Sequence, residues 1–303
     1  MKKYLLSIAF AAAVASTSIA QRTPQPSNAA GLTQTVGVSD FTVKYSRPNI
    51  KGRSVFADSS LLAPYNQLWR TGANQPTTVE SSTDFTFGGK PVPAGKYALF
   101  TIPSGSAWTV ILNKNFNQGT DGYKQADDVA RITVVPTSSD YTESFSIDFS
   151  NLTDNSANLN LSWSSVKIPV QIGVDSETLT MAGLNKAIAE KPEDVATLQS
   201  TAGYLLSKGK DLPQALSLAD KAIGLKETFS NLWLKAQILT KLGKVTEALP
   251  IAQKALTVGA ASGDGAFASY YKGQIEKGIE GIKAKLPTVK EAASTIKGKK
   301  KKK

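Results

Sequence analysis

The sequence contains no cysteine and no histidine, and these two absences exclude several chemistries at once. Without cysteine there is no disulfide framework, no thiol nucleophile, no zinc ribbon and no iron–sulfur cluster. Without histidine there is no Ser-His-Asp triad, no HExxH metal site and no imidazole for acid–base work. Glycine-rich phosphate loops of the GxGxxG or Walker type are missing as well. The sequence therefore predicts no metal and no cofactor.

A broad excess of basic charge is also lacking once the two ends of the chain are set aside. The net charge is +11, but eight of the lysines belong to the first three and the last seven residues, and the remainder carries only +3. That balance gives no basic footprint for phosphate backbones, so we expect no nucleic-acid partner.

Residues 1–20 have the pattern of a secretory signal peptide. Lys2 and Lys3 form a positive start, an apolar run covers residues 4–14, and small residues at Ser18 and Ala20 precede the expected cleavage. The alternative is an N-terminal anchor, but the run is shorter than the roughly 20 residues that span a bilayer. We therefore expect export to the periplasm or the cell exterior, with no transmembrane segment in the mature chain.

Low-complexity segments flank the expected folded body. Residues 21–30 are predicted to form a disordered linker, and residues 288–303 a disordered tail that ends in five lysines. Such a tail either attracts an anionic envelope surface, at about 1 kcal/mol per lysine, or simply keeps the protein in solution.

The composition changes near residues 173–176. Aromatic and β-branched residues concentrate before this point, whereas Ala, Leu and Lys dominate after it. The sequence thus predicts an α+β multidomain fold. An antiparallel β-sandwich or jelly-roll-like domain is expected at 31–175, and an all-α domain of helical hairpins at 176–287.

The first of these domains is predicted from alternation of apolar and polar residues. This period of two is typical of antiparallel strands that are buried on one face, and about nine or ten short strands are expected. The clearest alternating sets are Phe41, Val43 and Tyr45; Trp108, Val110 and Leu112; Phe145, Ile147 and Phe149; and Leu159, Leu161 and Trp163.

The second domain is predicted from a repeat. Three alanines recur 33 residues later, and Gly209 and Gly243 are 34 residues apart. This spacing resembles the tetratricopeptide repeat, in which stacked helical hairpins offer a groove for a protein or peptide partner. Flanking helices are expected at about 177–190 and 265–285. The repeated alanines are Ala215, Ala219 and Ala222, then Ala248, Ala252 and Ala255.

The densest cluster of polar and aromatic residues lies at 45–53 and 64–74. Arginine offers a planar donor fork and tryptophan a stacking face, which together suit a carboxylate, a phosphate or a sugar. The other interpretation is structural, with the tryptophan in the core and the arginines bonded to loop carbonyls. If residues 68–71 are extended, neighbouring side chains there point to opposite faces. The candidate ligand-binding residues are Arg47, Arg53, Trp69, Arg70 and Asn74.

Carboxylates provide the remaining route to catalysis, because a pair of them can hydrolyse a glycosidic bond without His or Cys. None of the candidates has an informative spacing, and no motif frames a calcium loop around Asp121. The candidates are Glu80, Asp84, Asp127, Asp128, Glu143 and Asp148.

Four runs of sequence, in order, resemble one family: YSRPNIKGR, LWRTGAN, PAGKYALFTIP and WTVILNK. They are similar to the secreted bacterial family known as domain of unknown function 2911, over roughly residues 31–173. The resemblance implies export and a β-rich fold, and it implies no activity; a helical extension after such a domain also fits this family. The positions that the family motif emphasises are Arg47, Pro48, Gly52, Arg53, Trp69, Arg70, Gly72 and Asn74.

The sequence leaves three functions open. The first is an exported, non-enzymatic binding or scaffold protein of unknown ligand. The alternative is a carboxylate-dependent hydrolase that acts on an envelope or dietary polysaccharide. The third is a structural envelope protein whose lysine tail touches anionic lipid.

Overall fold

The computed structural model of the protein describes residues 23–286. The predicted signal peptide and the predicted lysine-rich tail at 288–303 lie outside the described residues. The chain divides into two compact units between Ser176 and Glu177. Strands make up the first unit and six α-helices dominate the second, which confirms the predicted α+β two-domain fold.

The first unit, called the β domain below, contains ten strands within the described residues. Their bounds are β1 Asn28–Val36, β2 Ser39–Arg47, β3 Thr77–Ser81, β4 Phe85–Phe87, β5 Lys90–Val92, β6 Gly95–Ile102, β7 Trp108–Asn113, β8 Asp128–Val134, β9 Thr137–Ser150 and β10 Ser156–Gly173. They form a six-stranded sheet in the order β1-β2-β3-β6-β7-β8 and a four-stranded sheet in the order β5-β4-β10-β9. All the pairings are antiparallel.

The inner faces of the two sheets share one apolar core, as the alternating pattern predicts. On β2, Phe41, Val43 and Tyr45 are buried. The Phe41 ring meets the edge of Phe85 on β4 at 5.3 Å, and Tyr45 meets Phe145 on β9 at 5.8 Å. Side chains from one sheet therefore contact those of the other, and the domain is a β-sandwich.

Strand β1 corrects the linker predicted at residues 21–30. Asn28 pairs with Arg47, and Ala30 pairs with Tyr45, in unbroken register along β2. The prediction is wrong for residues 28–30, because Ala29 and Ala30 carry little strand propensity of their own. Backbone hydrogen bonds to β2 impose the strand there.

The second unit, called the helical domain below, contains α1 Ser176–Glu190, α2 Val195–Lys208, α3 Leu212–Leu225, α4 Phe229–Lys241, α5 Val245–Ala261 and α6 Lys272–Ala284. A short π-helical turn at Phe267–Tyr271 precedes α6. None of the helices within residues 23–286 combines the length and the apolar character needed to cross a membrane.

The repeated alanines lie in the interior of the helical domain, on α3 and α5, and all six are fully buried. Their methyl groups let neighbouring helices approach closely. Gly209 and Gly243 follow α2 and α4 at φ +65° and +76°, the left-handed region that glycine adopts without strain. The repeat thus corresponds to two successive helical hairpins. Its assignment to the tetratricopeptide class stays a prediction.

Candidate functional site

A cleft of about 560 Å³ opens on the β domain where the two candidate loops, residues 48–53 and 64–74, come together. We call it the basic cleft, because Lys51, Arg53 and Arg70 line it and no Asp or Glu of the described residues does. Side-chain amides of Asn49 and Gln67 contribute further polar groups. The cleft therefore combines positive charge with groups that both donate and accept hydrogen bonds.

The first loop of the cleft is a tight turn after β2. Lys51 and Gly52 both have positive φ, at +48° and +72°. The backbone N–H of Arg53 donates to the Ile50 carbonyl at 3.1 Å, which closes the turn. Gly52 suits this conformation because it has no Cβ. The turn places the side chains of Lys51 and Arg53 at the cleft.

The second loop contains a strained residue. Thr71 is fully buried at φ +54°, which is an outlier for a β-branched side chain. Its carbonyl accepts from the Thr77 hydroxyl at 2.5 Å, and its own hydroxyl donates to that of Thr101 at 3.2 Å. At Gly72, a Cβ would lie 2.9 Å from the Ser46 carbonyl oxygen, so the backbone approach requires glycine. Strain of this kind concentrates at functional sites.

The two arginines of the cleft are tied to these loops. Arg53 donates through Nε to the Ile50 carbonyl at 3.0 Å and through Nη2 to the Asn49 carbonyl at 2.6 Å. Arg70 donates through Nη1 to the Asn74 carbonyl at 2.7 Å. Nη1 of Arg53 and the Nε–Nη2 edge of Arg70 have no partner within residues 23–286. Each arginine therefore both supports a loop and keeps donors for another molecule.

Trp69 belongs to the core. Its side chain is 6% exposed, and its indole stacks on that of Trp163 with centroids 5.5 Å apart and planes 16° apart. Its Nε1 donates to the Gly72 carbonyl at 3.0 Å. The indole enters the core, whereas the next residue, Arg70, is half-buried at the cleft. Trp69 and Trp163 thus form the floor of the basic cleft, and neither offers an open stacking face.

The five predicted residues do not all come together. Arg53, Trp69, Arg70 and Asn74 line the basic cleft, and Arg47 does not. Arg47 ends β2 and donates through Nε to the Phe145 carbonyl of β9 at 2.9 Å, a contact that joins the two sheets. Its predicted place in the ligand site is therefore not supported by its position.

Sequence reasoning did not single out Lys51, Asn49 or Trp163, among other residues of the lining. Lys51 and Asn49 lie inside the quoted run YSRPNIKGR, where the KG pair was a signal for a turn that exposes a lysine. Trp163 belongs to β10, about 90 residues further along the chain, and alternation alone marks it only as core.

One carboxylate stands just behind the first loop. Glu143 of β9 accepts the Lys51 backbone N–H at 2.8 Å and the Tyr141 hydroxyl at 2.8 Å. These hydrogen bonds, led by the one from Lys51, hold the pKa of Glu143 below its ordinary value, and the nearby Arg53 charge adds to the effect. Glu143 therefore orders the turn as an anion, outside the cleft lining.

The other candidate carboxylates are bound to neighbours of their own. Asp84 accepts the Ala94 N–H at 2.8 Å, and Asp127 forms an ion pair with Lys114 at 3.1 Å. Asp128 accepts from the Tyr123 hydroxyl at 2.8 Å. Burial, followed by this hydrogen bond, raises the pKa of Tyr123 to about 12.

The two carboxylates not yet placed lie on strands. Asp148 of β9 accepts from the Asn160 amide at 2.6 Å, and Glu80 of β3 is paired in register with Lys96 of β6. Within residues 23–286, no group of three or more carboxylates is placed to hold a metal ion.

The architecture defines a class: a two-sheet sandwich with a basic cleft, followed by helical hairpins. Residues 27–172 match the family described as "Protein of unknown function (DUF2911)". The β domain matches this family, which confirms the resemblance in the sequence motifs, and the match does not include the helical domain. No curated protein and no solved structure matches the chain.

Proposed function

We propose that the protein is an exported, non-enzymatic binding protein whose β domain takes an acidic sugar in the basic cleft. The charge of the lining carries this proposal. Lys51, Arg53 and Arg70 line the cleft and no carboxylate of the described residues does, although Glu143 behind the first loop partly offsets the charge of Arg53. A ligand that bears a carboxylate or a phosphate supplies the missing negative charge.

Arg70 gives the anionic group a defined place. Its Nε–Nη2 edge presents two parallel N–H donors, the geometry that binds a carboxylate or a phosphate bidentately. Its Nη1 is already bonded to the Asn74 carbonyl, so the guanidinium is held before a ligand arrives. This order lowers the side-chain entropy that is lost on binding.

The neutral part of the lining favours a sugar as the rest of the ligand. Asn49, Gln67 and Thr120 offer amide and hydroxyl groups, which pair with sugar hydroxyls as donors and acceptors. The volume of about 560 Å³ lies within the range of small-ligand sites. A monosaccharide acid or a sugar phosphate fits both the charge and the polarity.

A thermal-shift comparison tests the proposal. Glucuronate, galacturonate and glucose 6-phosphate are expected to raise the melting temperature, and glucose is not. A ligand at 100 times its Kd stabilises the folded state by about 2.7 kcal/mol, which is readily measured. Arg70→Lys, which keeps the charge but loses the fork, is expected to shift much less with the acidic sugars.

The matched control is Lys90→Gln, which removes an exposed lysine that does not line the cleft. It is expected to respond as the wild type does. Equal shifts with glucose and with the acids, or full shifts in Arg70→Lys, would contradict the proposed site.

The remaining functional predictions have less support. The hydrolase alternative requires two facing carboxylates, and the lining of the basic cleft contains none.

Partner binding by the helical domain and surface binding by the lysine tail stay predictions. Export rests on the pattern of residues 1–20, and an N-terminus at Gln21 in protein recovered from its native cells is the expected test.

A further inference from the structure

A second cleft, of about 640 Å³, lies on the outer face of the six-stranded sheet. Two lysines line it, Lys44 of β2 and Lys96 of β6, and no Asp or Glu of the described residues does. The ammonium group of Lys96 lies over the Phe116 ring, 5.1 Å from its centroid. We call this the sheet-face cleft. Its charge has the same sign as that of the basic cleft.

The two clefts share a wall. Asn74 lines the basic cleft, and Gln75, the next residue, lines the sheet-face cleft. The Asn74 amide donates to the Ser27 carbonyl on one side and to the Ser46 hydroxyl on the other, both at 3.3 Å. Ser27 lines the basic cleft and Ser46 lines the sheet-face cleft. A single short ridge therefore separates them.

We propose that the two clefts form one continuous binding surface for a linear acidic polysaccharide. One sugar unit occupies the basic cleft, and the following units cross the Asn74 ridge to meet Lys44 and Lys96. This inference rests on the proposed function of the basic cleft and extends it from a single acidic sugar to a chain of them.

The lining favours a glycan over other polyanions. Polar side chains without charge continue through the sheet-face cleft, at Gln75, Thr78 and Asn117, and they match a ligand rich in hydroxyl groups. A single-stranded nucleic acid needs open aromatic faces for its bases, but the indoles of Trp69 and Trp163 are buried.

The sheet surface is also open where a chain would lie. Gly31 of β1 is in register with Lys44 and carries no side chain, and it lines the same cleft. Neither Lys44 nor Lys96 forms an ion pair within the described part of the chain. Glu80 of β3 is the cross-strand neighbour of Lys96 but does not form an ion pair with it, so both ammonium groups can contact carboxylates spaced along a polymer.

Calorimetry of the full chain with galacturonate oligomers of one to six units tests the inference. For the wild type, affinity is expected to rise at least tenfold from the monomer to the hexamer. The double variant Lys44→Gln/Lys96→Gln is expected to keep the monomer affinity and lose most of that gain. The double variant Lys90→Gln/Lys167→Gln, which changes two lysines outside both clefts, is the matched control and is expected to behave as the wild type.

The possible results separate the two proposals. If the monomer binds and needs Arg70, but affinity does not rise with oligomer length, the extended surface is overturned and the proposed function stands. Failure of both monomer and hexamer to bind overturns both. Polyglutamate of equal charge is the comparison ligand. If it binds as tightly as the hexamer, and its affinity falls as much in the Lys44→Gln/Lys96→Gln variant, the surface would be assigned to an acidic peptide instead.

Discussion

The β domain and the helical domain fill their interiors in opposite ways. Between the sheets the core consists of large rings and branched side chains, with Phe41, Phe145 and Trp163 almost fully buried. Between the helices the buried positions of α3 and α5 are alanines and, on α5, one glycine, Gly259. Packed sheets lie about 10 Å apart and need long side chains to fill the gap, whereas helices can approach until only methyl groups fit. The β domain should therefore be most sensitive to a loss of side-chain volume, and the buried alanine positions of the helical domain to a gain of volume.

Removing a ring from the β domain is expected to have the largest effect. Phe41 is fully buried and contacts Phe85 and Phe149, so Phe41→Ala leaves a cavity that the sheets cannot close. We expect a loss of about 3–5 kcal/mol in the free energy of unfolding, measured by urea denaturation. Val135→Ala, at an exposed position, is the control and should change it by less than about 0.5 kcal/mol. Similar losses in both variants would argue against a tightly filled core.

Adding volume is expected to damage the helical domain. Ala252 of α5 is fully buried in a cluster with Phe229 and Leu232, so Ala252→Leu has no space to occupy. A loss of about 1–3 kcal/mol is expected from overpacking. Ala260→Leu, on the same helix but exposed, should be nearly neutral. The helical circular dichroism signal in urea reports both; a tolerated Ala252→Leu would show that the alanines are not at close helix contacts.

Two glycines of α6 give a smaller and more discriminating comparison. A Cβ at Gly278 would lie 2.1 Å from the end of the Trp233 ring, whereas nothing lies within 4 Å of a Cβ at Gly281. Gly281→Ala is expected to stabilise the protein by about 0.5–1 kcal/mol, because alanine is the better helix former. Gly278→Ala should not show this stabilisation, because the added Cβ meets the Trp233 ring, and its melting temperature should fall below that of the wild type. If both variants gain equally, Trp233 does not pack against α6.

The smallest expected effect concerns pH and the first loop of the basic cleft. The pKa of Glu143 is lowered in the folded state, so its stabilising contribution is present at neutral pH and disappears as the pH falls through and below the ordinary value of 4.5. Glu143→Gln should therefore melt below the wild type at pH 7, and the difference should be smaller at pH 3.

The matched variant is Tyr141→Phe, which removes the hydroxyl that donates to the Glu143 carboxylate and leaves the Lys51 backbone N–H as its donor. It should show a smaller difference with the same pH dependence. A gap between Glu143→Gln and wild type that is equal at both pH values would mean that the charge of Glu143 does not order the turn.

Most of the fold could be predicted because the sequence contains two clear periodicities. Alternation around Phe41 and Phe145 indicated strands with one buried face. The alanine spacing from Ala215 to Ala248 indicated a repeated helical hairpin. Strand β1 escaped prediction because its alanines and polar residues take their conformation from pairing with β2, a long-range contact that local propensity does not contain.

Part of the candidate site could be predicted, because local sequence marks the loops that carry it. Arg53, Arg70 and Asn74 lie in two loops whose Gly and Pro residues mark special backbone geometry, and they do meet in one cleft. Arg47 belongs to the same motif but lies at the end of a strand, and its contact with the Phe145 carbonyl follows from how the sheets face each other. The sequence pattern contains no information on that orientation.

The hydrogen bonds from Arg53 and Arg70 to loop carbonyls affect the rate at which a ligand associates with the basic cleft. Because both guanidinium groups are held before any ligand is present, an anion can enter the basic cleft without waiting for them to rearrange. Association should then be similar for different acidic sugars, and their lifetimes on the protein should differ instead.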